Sequence, residues 1–352
     1  MDLGIIEGFY GRPWSWRERA ETVAFLAPHG YRFYLYAPKA DAYLRRRWQE
    51  PHPADDAAAL RSLAASCSDA DVRFGIGLSP YEIFNNFDDR ARSALAAKLA
   101  FIDDLGVRDL ALLFDDMQGS TPDLAERQAD IVHWAMERTS ADRLLMCPTY
   151  YSDDPVLDRV FGRRPAGYLD RLGGLLDPAV EIFWTGEEVC SREITPGHVR
   201  RVAELLRRPP FLWDNYPVND GQRMSQYLHL RAFTGRRSTI SPHIRAHGVN
   251  PALQPTLTRI PALTLADSYR LGDEYAYGAA LHDAAVAVLG EELGGMVRDD
   301  VLVLQDIGLD RLGDRETLLR DRYTGLDHDG AREIIAWLDG EYRITDEIVH
   351  TQ

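Results

Sequence analysis

Only three of the 352 residues are cysteine: Cys67, Cys147 and Cys190. They are odd in number, far apart and set among small or apolar neighbours. That suits neither a disulfide framework nor a zinc site, and a reducing cytoplasm is the compartment that fits. Basic clusters are also missing. The chain carries 40 Lys and Arg against 55 Asp and Glu, a net charge of -15, with no group of cations able to neutralise several phosphates. Nucleic acid is therefore not an expected partner. No apolar run approaches the roughly 18 residues of a membrane span, and the opening MDLGIIEGF has no basic segment followed by a long apolar core. The expectation is a chain without membrane or export. There is no HExxH; His243 and His247 lie four apart in a weak strand, and LDHDG at 326–330 lacks the spacing and terminal Glu of a calcium loop. That stretch reads as a helix cap, and neither a metal nor a cofactor is expected. Nothing in the sequence reports an oligomeric state.

What the chain does have is alternation. Short apolar or β-branched runs at 3–6, 32–37, 72–77, 108–114, 143–147, 180–184, 209–213 and, most weakly, 242–247 are separated by segments of helical period. Helices are expected over 16–27, 89–105, 122–138, 196–207 and 221–233, several preceded by Thr or Asp as N-caps. Eight βα units favour an α/β fold closed as a (β/α)8 TIM barrel, which needs about 250 residues. Strand signals mostly stop after residue 268, while 274–290, 314–323 and 330–343 look helical. The expected organisation is a barrel over 1–268 and a C-terminal α-helical appendage over 269–352.

Loops after the C-terminal ends of barrel strands build the active sites of this architecture. The fourth strand ends ALLFDDMQ, placing Asp115 and Asp116 side by side next to an apolar core. Two adjacent carboxylates there are either a surface turn or a working site. Taken alone, a DD pair is usually a solvated turn, Lys39 a surface lysine, and Asn250–Pro251 an ordinary turn former. Convergence changes the reading. Seven of the eight strand ends carry polar groups, among them Lys39, Tyr151, Thr185, Asn215, Asp220 and Asn250, alongside the aromatics Phe9, Tyr10, Trp184 and Trp213. Carboxylates and amides with aromatic platforms are what a sugar needs.

The stretches GIIEGFYGRPWSWRER (4–19), YLYAPKAD (34–41), LALLFDDM (110–117), MCPTYY (146–151), FWTGEEVCSREIT (183–195), LWDNYPVND (212–220) and GVNP (248–251) resemble the catalytic domain of glycoside hydrolase family 84. That family contains β-N-acetylglucosaminidases acting on O-GlcNAc and bacterial relatives labelled hyaluronidases. The resemblance implies that Asp115 orients the substrate's 2-acetamido group and that Asp116 is the general acid/base. It implies sugar contacts for Gly8, Lys39, Asn215, Asp220 and Asn250, and pocket walls from Tyr151 and Trp213. Thr185 joins the substrate-binding candidates from its place after the sixth strand.

Neighbouring carboxylates cannot easily straddle a sugar ring as the acid and nucleophile of ordinary retaining glycosidases do. They can serve together if the substrate's acetamido oxygen is the nucleophile. Asp115 would then accept the acetamido N–H while a protonated Asp116, its proton affinity raised by its neighbour, donates to the leaving oxygen. The leading expectation is a retaining exo-β-N-acetylglucosaminidase acting on GlcNAc conjugates. The alternatives are an endo-acting, hyaluronidase-like enzyme and a GlcNAc-binding module without catalysis.

Overall fold

The strands are short and almost wholly apolar because both of their faces are covered, the inner by the barrel's own filling and the outer by helices. In the computed structural model, which describes residues 1–345, they close on one another. The strands are β1 (Leu3–Glu7), β2 (Tyr31–Tyr36), β3 (Arg73–Leu78), β4 (Asp109–Leu113), β5 (Arg143–Cys147), β6 (Glu181–Trp184), β7 (Phe211–Asp214) and β8 (His247–Val249). Each pairs in parallel with the next, and β8 returns to β1. This is the expected (β/α)8 barrel.

Its helices are α1 (Trp16–Leu26), α2 (Ala54–Asp69), α3 (Asp89–Asp104), α4 (Leu124–Met136), α5 (Pro155–Phe161), α6 (Tyr168–Leu175), α7 (Pro196–Leu206) and α8 (Arg259–Leu271). Local chemistry starts several of them. Ser15 and Glu18 form a reciprocal capping box at α1, Asp88 accepts from Ala91 N–H at α3, and Thr195 with Pro196 opens α7. Inside the barrel, Phe183 packs edge-on against both Phe211 and Trp213, with ring centroids 4.9 and 5.3 Å apart. This aromatic stack leads from the core to the open end of the barrel.

Two expectations need correction. The eighth strand lies at 247–249 and not at 242–247, because residues 238–243 turn as a 3-10 helix. Gly248, which the expected bounds leave just past the strand, lies within it, where a Cβ would meet the Ile6 side chain at 2.3 Å. The helix expected over 221–233 is irregular chain with one short turn at Met224–Gln226. Its amides find partners elsewhere, Leu228 N–H on Leu304 C=O and those of Leu230 and Arg231 on Gln305 Oε1. Backbone groups satisfied by tertiary partners have no need of a helical ladder.

Beyond the barrel come α9 (Tyr277–Leu289), α10 (Glu291–Leu302), α11 (Arg315–Tyr323) and α12 (Asp329–Leu338). The helix at 291–302 was not expected, since Gly294 and Gly295 interrupt its pattern. Gly294 is needed for close packing on α9, where a Cβ would meet the Ala285 carbonyl oxygen at 2.7 Å. LDHDG does cap a helix: His328 accepts the Gly330 N–H at the start of α12. Residue 268 falls within α8, and a domain division at that point is our proposal; 346–352, the end of the expected appendage, lie outside the described residues. Cys67, Cys147 and Cys190 are free, and no described helix is long and apolar enough to cross a membrane.

Candidate active site

Strand ends β1, β2, β4, β5, β6, β7 and β8 meet around one open cavity. Gly8, Lys39, Asp115, Asp116, Tyr151, Thr185, Trp213, Asn215, Asp220 and Asn250 all line it. The structure thus brings together all ten of these site candidates, with Tyr10 beside them and Cys147, Val189 and Val218 completing the wall. Of the other aromatics expected as platforms, Phe9 is buried and does not line the cavity, and Trp184 is buried with its Nε1 on His198 Nε2 at 2.9 Å.

Adjacent residues of an extended chain point to opposite faces. Asp115 and Asp116 reach the same cavity because Asp116 leaves the extended conformation, with φ at 56° in the left-handed region. A non-glycine residue held there is costly, and such strain clusters at functional sites. Lys39 Nζ donates to Asp115 Oδ2. Asp115 Oδ1, buried, has no hydrogen-bond partner among the described residues. Asp116 is held on both oxygens, by Tyr10 Oη on Oδ2 at 2.8 Å and by Tyr151 Oη on Oδ1 at 3.1 Å. Arg45, itself buried, makes a long 3.5 Å contact from its guanidinium to the Asp116 carbonyl.

Electrostatics here run against the expected raising of the Asp116 proton affinity. Burial pushes the Asp116 pKa up, but the charges of Lys39 and Arg45 and the hydrogen bonds from both tyrosines outweigh it and hold the group below the usual carboxylate range. With these partners around it, Asp116 is ionised. Burial, and then the Asp116 charge, push the phenols of Tyr10 and Tyr151 well above their ordinary values, so both remain neutral donors. Burial and the two carboxylates likewise keep the Cys147 thiol protonated.

The opposite wall is an amide network. Asn215 Oδ1 accepts from Trp213 Nε1 at 3.1 Å and from Asn250 Nδ2 at 2.9 Å, while its Nδ2 donates to the Val189 carbonyl at 2.9 Å. Asn250 Oδ1 accepts the Gly8 N–H at 3.3 Å. Asp220 Oδ2 accepts the Tyr10 N–H at 2.8 Å, tying the β7 loop to the residue that holds Asp116. Thr185 Oγ1 donates to the Glu188 carbonyl at 3.2 Å and steadies its own loop.

Below the amides lies a strut. Asp214 is bidentate with Arg236, both contacts at 2.7 Å, and bonds His247 at 2.9 Å; His247 in turn meets the Tyr269 hydroxyl at 2.8 Å. Burial alone would raise the Asp214 pKa, yet Arg236 and His247 bring it down to about 2. Asp214 and His247 are accordingly structural, and among the described residues no group of three or more His, Cys, Asp or Glu could hold a metal ion.

Sequence reasoning left out two residues of consequence around Asp116. Tyr10 was visible as an aromatic at the β1 end, without a sign that its hydroxyl would meet Asp116. Arg45 opens the run Arg45–Arg46–Arg47, which reads as solvated surface; only burial separates it from its two exposed neighbours.

A family model for beta-N-acetylglucosaminidase matches residues 3–301. Protein O-GlcNAcase of Mus musculus is 29% identical over 276 residues, 76% of this chain and 30% of that protein, and Protein O-GlcNAcase of Rattus norvegicus matches to the same extent. The chain thus corresponds to under a third of the length of these relatives. Among solved structures, a mutant of the Thermobaculum terrenum O-GlcNAc hydrolase superposes with a TM-score of 0.81 at 28% identity, covering 96% of this chain and 80% of that one. With the family model spanning the whole barrel and all the loops that form its cavity, the chain belongs to the β-N-acetylglucosaminidase family that its motifs resemble.

Proposed function

We propose that the protein is a retaining exo-β-N-acetylglucosaminidase that removes β-linked GlcNAc by substrate-assisted catalysis, from O-GlcNAc-modified protein or related GlcNAc conjugates. The observation that carries this reading is the unpartnered, buried Oδ1 of Asp115, one residue from a second carboxylate in the same cavity. A buried acceptor left open in a polar cavity suits a ligand donor, here the acetamido N–H of the sugar. Asp115, its other oxygen held by Lys39, aligns the acetamido group so that its oxygen attacks the anomeric carbon. Asp116 protonates the leaving oxygen. The resulting oxazoline is opened by water, with Asp116 taking the water's proton, and two inversions give net retention.

Asp116 must acquire its proton as substrate binds. The sugar covers the carboxylate and removes the remaining water, which favours the neutral form. Asn215, Asp220 and Asn250 bind hydroxyls, and Trp213 and Tyr151 supply walls for the ring and the N-acetyl methyl. Binding by seven strand ends around one small cavity supports exo action over an endo reading, which needs a long groove. O-GlcNAc as substrate is supported by the names of the relatives, O-GlcNAcase and O-GlcNAc hydrolase. We assign the protein to the cytoplasm, in keeping with its free cysteines.

The test is hydrolysis of matched aryl β-glycosides. The GlcNAc glycoside is expected to turn over, with the β-anomer of GlcNAc released first, and the glucoside, lacking the acetamido group, to be essentially inert. Comparable rates on the two, or preference for a hyaluronan chain over the monoglycoside, would overturn the proposal.

A further inference from the structure

The loops that bring Asn215, Asp220 and Asn250 to the cavity are held from outside the barrel. Residues 215–246 and 250–258 contain little regular structure, so their amides need partners. Two side chains of the helical region supply them in the same manner. Gln305 Oε1 accepts the N–H groups of Leu230 and Arg231, each at 2.8 Å. The Glu333 carboxylate accepts those of Thr256 at 2.7 Å and Leu257 at 2.9 Å. Both residues lie beyond 301, where the family match ends.

Glu333 is the more telling of the two. It is only 6% exposed. Burial raises its pKa to about 7 even against the two amide bonds and the Arg259 charge. A buried acid is a poor choice where packing alone is at stake. The loop it grips runs back to the sugar site through a continuous set of bonds. Leu253 N–H reaches Asn219 Oδ1 at 2.9 Å, and the Leu253 carbonyl accepts Trp14 Nε1 at 3.2 Å. Asn250, at the head of the loop, joins Gly8 to Asn215.

We infer that Glu333 is a positioning residue for the sugar pocket: through the amides of Thr256 and Leu257 it fixes the loop that begins at Asn250, making the helical region a working part of the site. Gln305 does the same for the loop that carries Asn215 and Asp220. The sugar in this statement rests on the function proposed above; the anchoring of the loop does not.

The test uses the full chain as wild type, Glu333→Gln and Gln305→Met, with hydrogen exchange of peptides across 215–231 and 250–258 and with steady-state kinetics on an aryl β-GlcNAc glycoside. Glu333→Gln should speed exchange in 250–258 while the barrel strands stay protected. KM should rise roughly three- to tenfold with kcat within about twofold, the pattern of lost binding without lost chemistry. Gln305→Met should do the same through 215–231. Unchanged exchange in the gripped loop overturns the inference, as does faster exchange with KM unmoved, or a general loss of protection in which kcat falls and KM does not change. If wild type leaves the glycoside intact, the proposed function fails and the inference is read from exchange and the Kd for free GlcNAc, where equal Kd in wild type and variants overturns it.

Discussion

A Cβ on Gly8 would stand 2.1 Å from Cζ2 of Trp213. The indole therefore occupies space that any other residue at position 8 would fill, and the Trp213 Nε1 bond to Asn215 depends on that approach. Gly8→Ala must displace the indole or the end of β1. We expect the variant to fold with a loss of about 1–3 kcal/mol, typical of overpacking, while kcat/KM on an aryl GlcNAc glycoside falls on the order of 10²-fold, as misplacement by about an ångström can cause. Denaturant titration alongside kinetics checks this. Wild-type kcat/KM in Gly8→Ala would remove Trp213 from the set of residues whose position matters.

The barrel and its cavity were legible in the sequence because both depend on local pattern: apolar runs set the strands, and the residues just after them point into one space. Asp115, Lys39 and Asn250 each follow an apolar run, and their convergence at strand ends, together with the family motifs, singles them out. What escaped depends on contacts between distant residues. The stretch 221–233 has helical period, but Leu304 and Gln305, some 75 residues away, take its amides. Gly248 falls outside the strand expected at 242–247 until Ile6 is seen against it. The ionisation of Asp116 is the sum of Lys39, Arg45, Tyr10 and Tyr151, brought together from three other loops. Looking only at its sequence neighbour gives the wrong sign.

Glu333 makes stability depend on pH in an unusual direction. Its pKa rises from 4.5 to about 7 on folding, so between those values the native state holds more protons than the unfolded chain. Stability is then lost as pH rises through the window, by about 3 kcal/mol at most. Arg259 and Tyr342 interact electrostatically with it, and neither changes charge in that range. Urea denaturation at about pH 5 and pH 7.5 should show wild type losing stability relative to Glu333→Gln across the interval. Parallel curves for the two proteins would mean that Glu333 folds without a shifted pKa.

Asp116 should give different pH limits for the free enzyme and the complex. Its depressed pKa in the free enzyme means that the protonated form needed for acid catalysis disappears at low pH as pH rises. A bound sugar covers the carboxylate and raises that pKa. Because kcat/KM reports the free enzyme and kcat the complex, the basic limb of kcat should lie at higher pH than that of kcat/KM. Profiles on an alkyl-linked GlcNAc, whose departure needs the proton, check the order. Coincident limbs, or the reverse order, would show that substrate does not alter the ionisation of Asp116.

The two aspartates are separated most sharply by the leaving group. Asp116 is bonded on both oxygens by tyrosines and faces the proton-transfer role, whereas Asp115 keeps one oxygen open for the acetamido N–H. Asp116→Asn should cripple cleavage of Ser- or alkyl-linked GlcNAc but spare much of the first step for a dinitrophenyl glycoside, which departs without protonation. Later steps can then limit turnover, since the same residue activates water. Asp115→Asn weakens the attack itself, so first-step rates should fall for good and poor leaving groups alike, on the order of 10²–10⁴-fold. Pre-steady-state kinetics over a series of aryl glycosides should give a steeper dependence on leaving-group pKa for Asp116→Asn than for wild type, and a parallel downward shift for Asp115→Asn. If the slopes of the two variants agree, or exchange places, the division of labour between these neighbours is wrong even where the enzyme class is right.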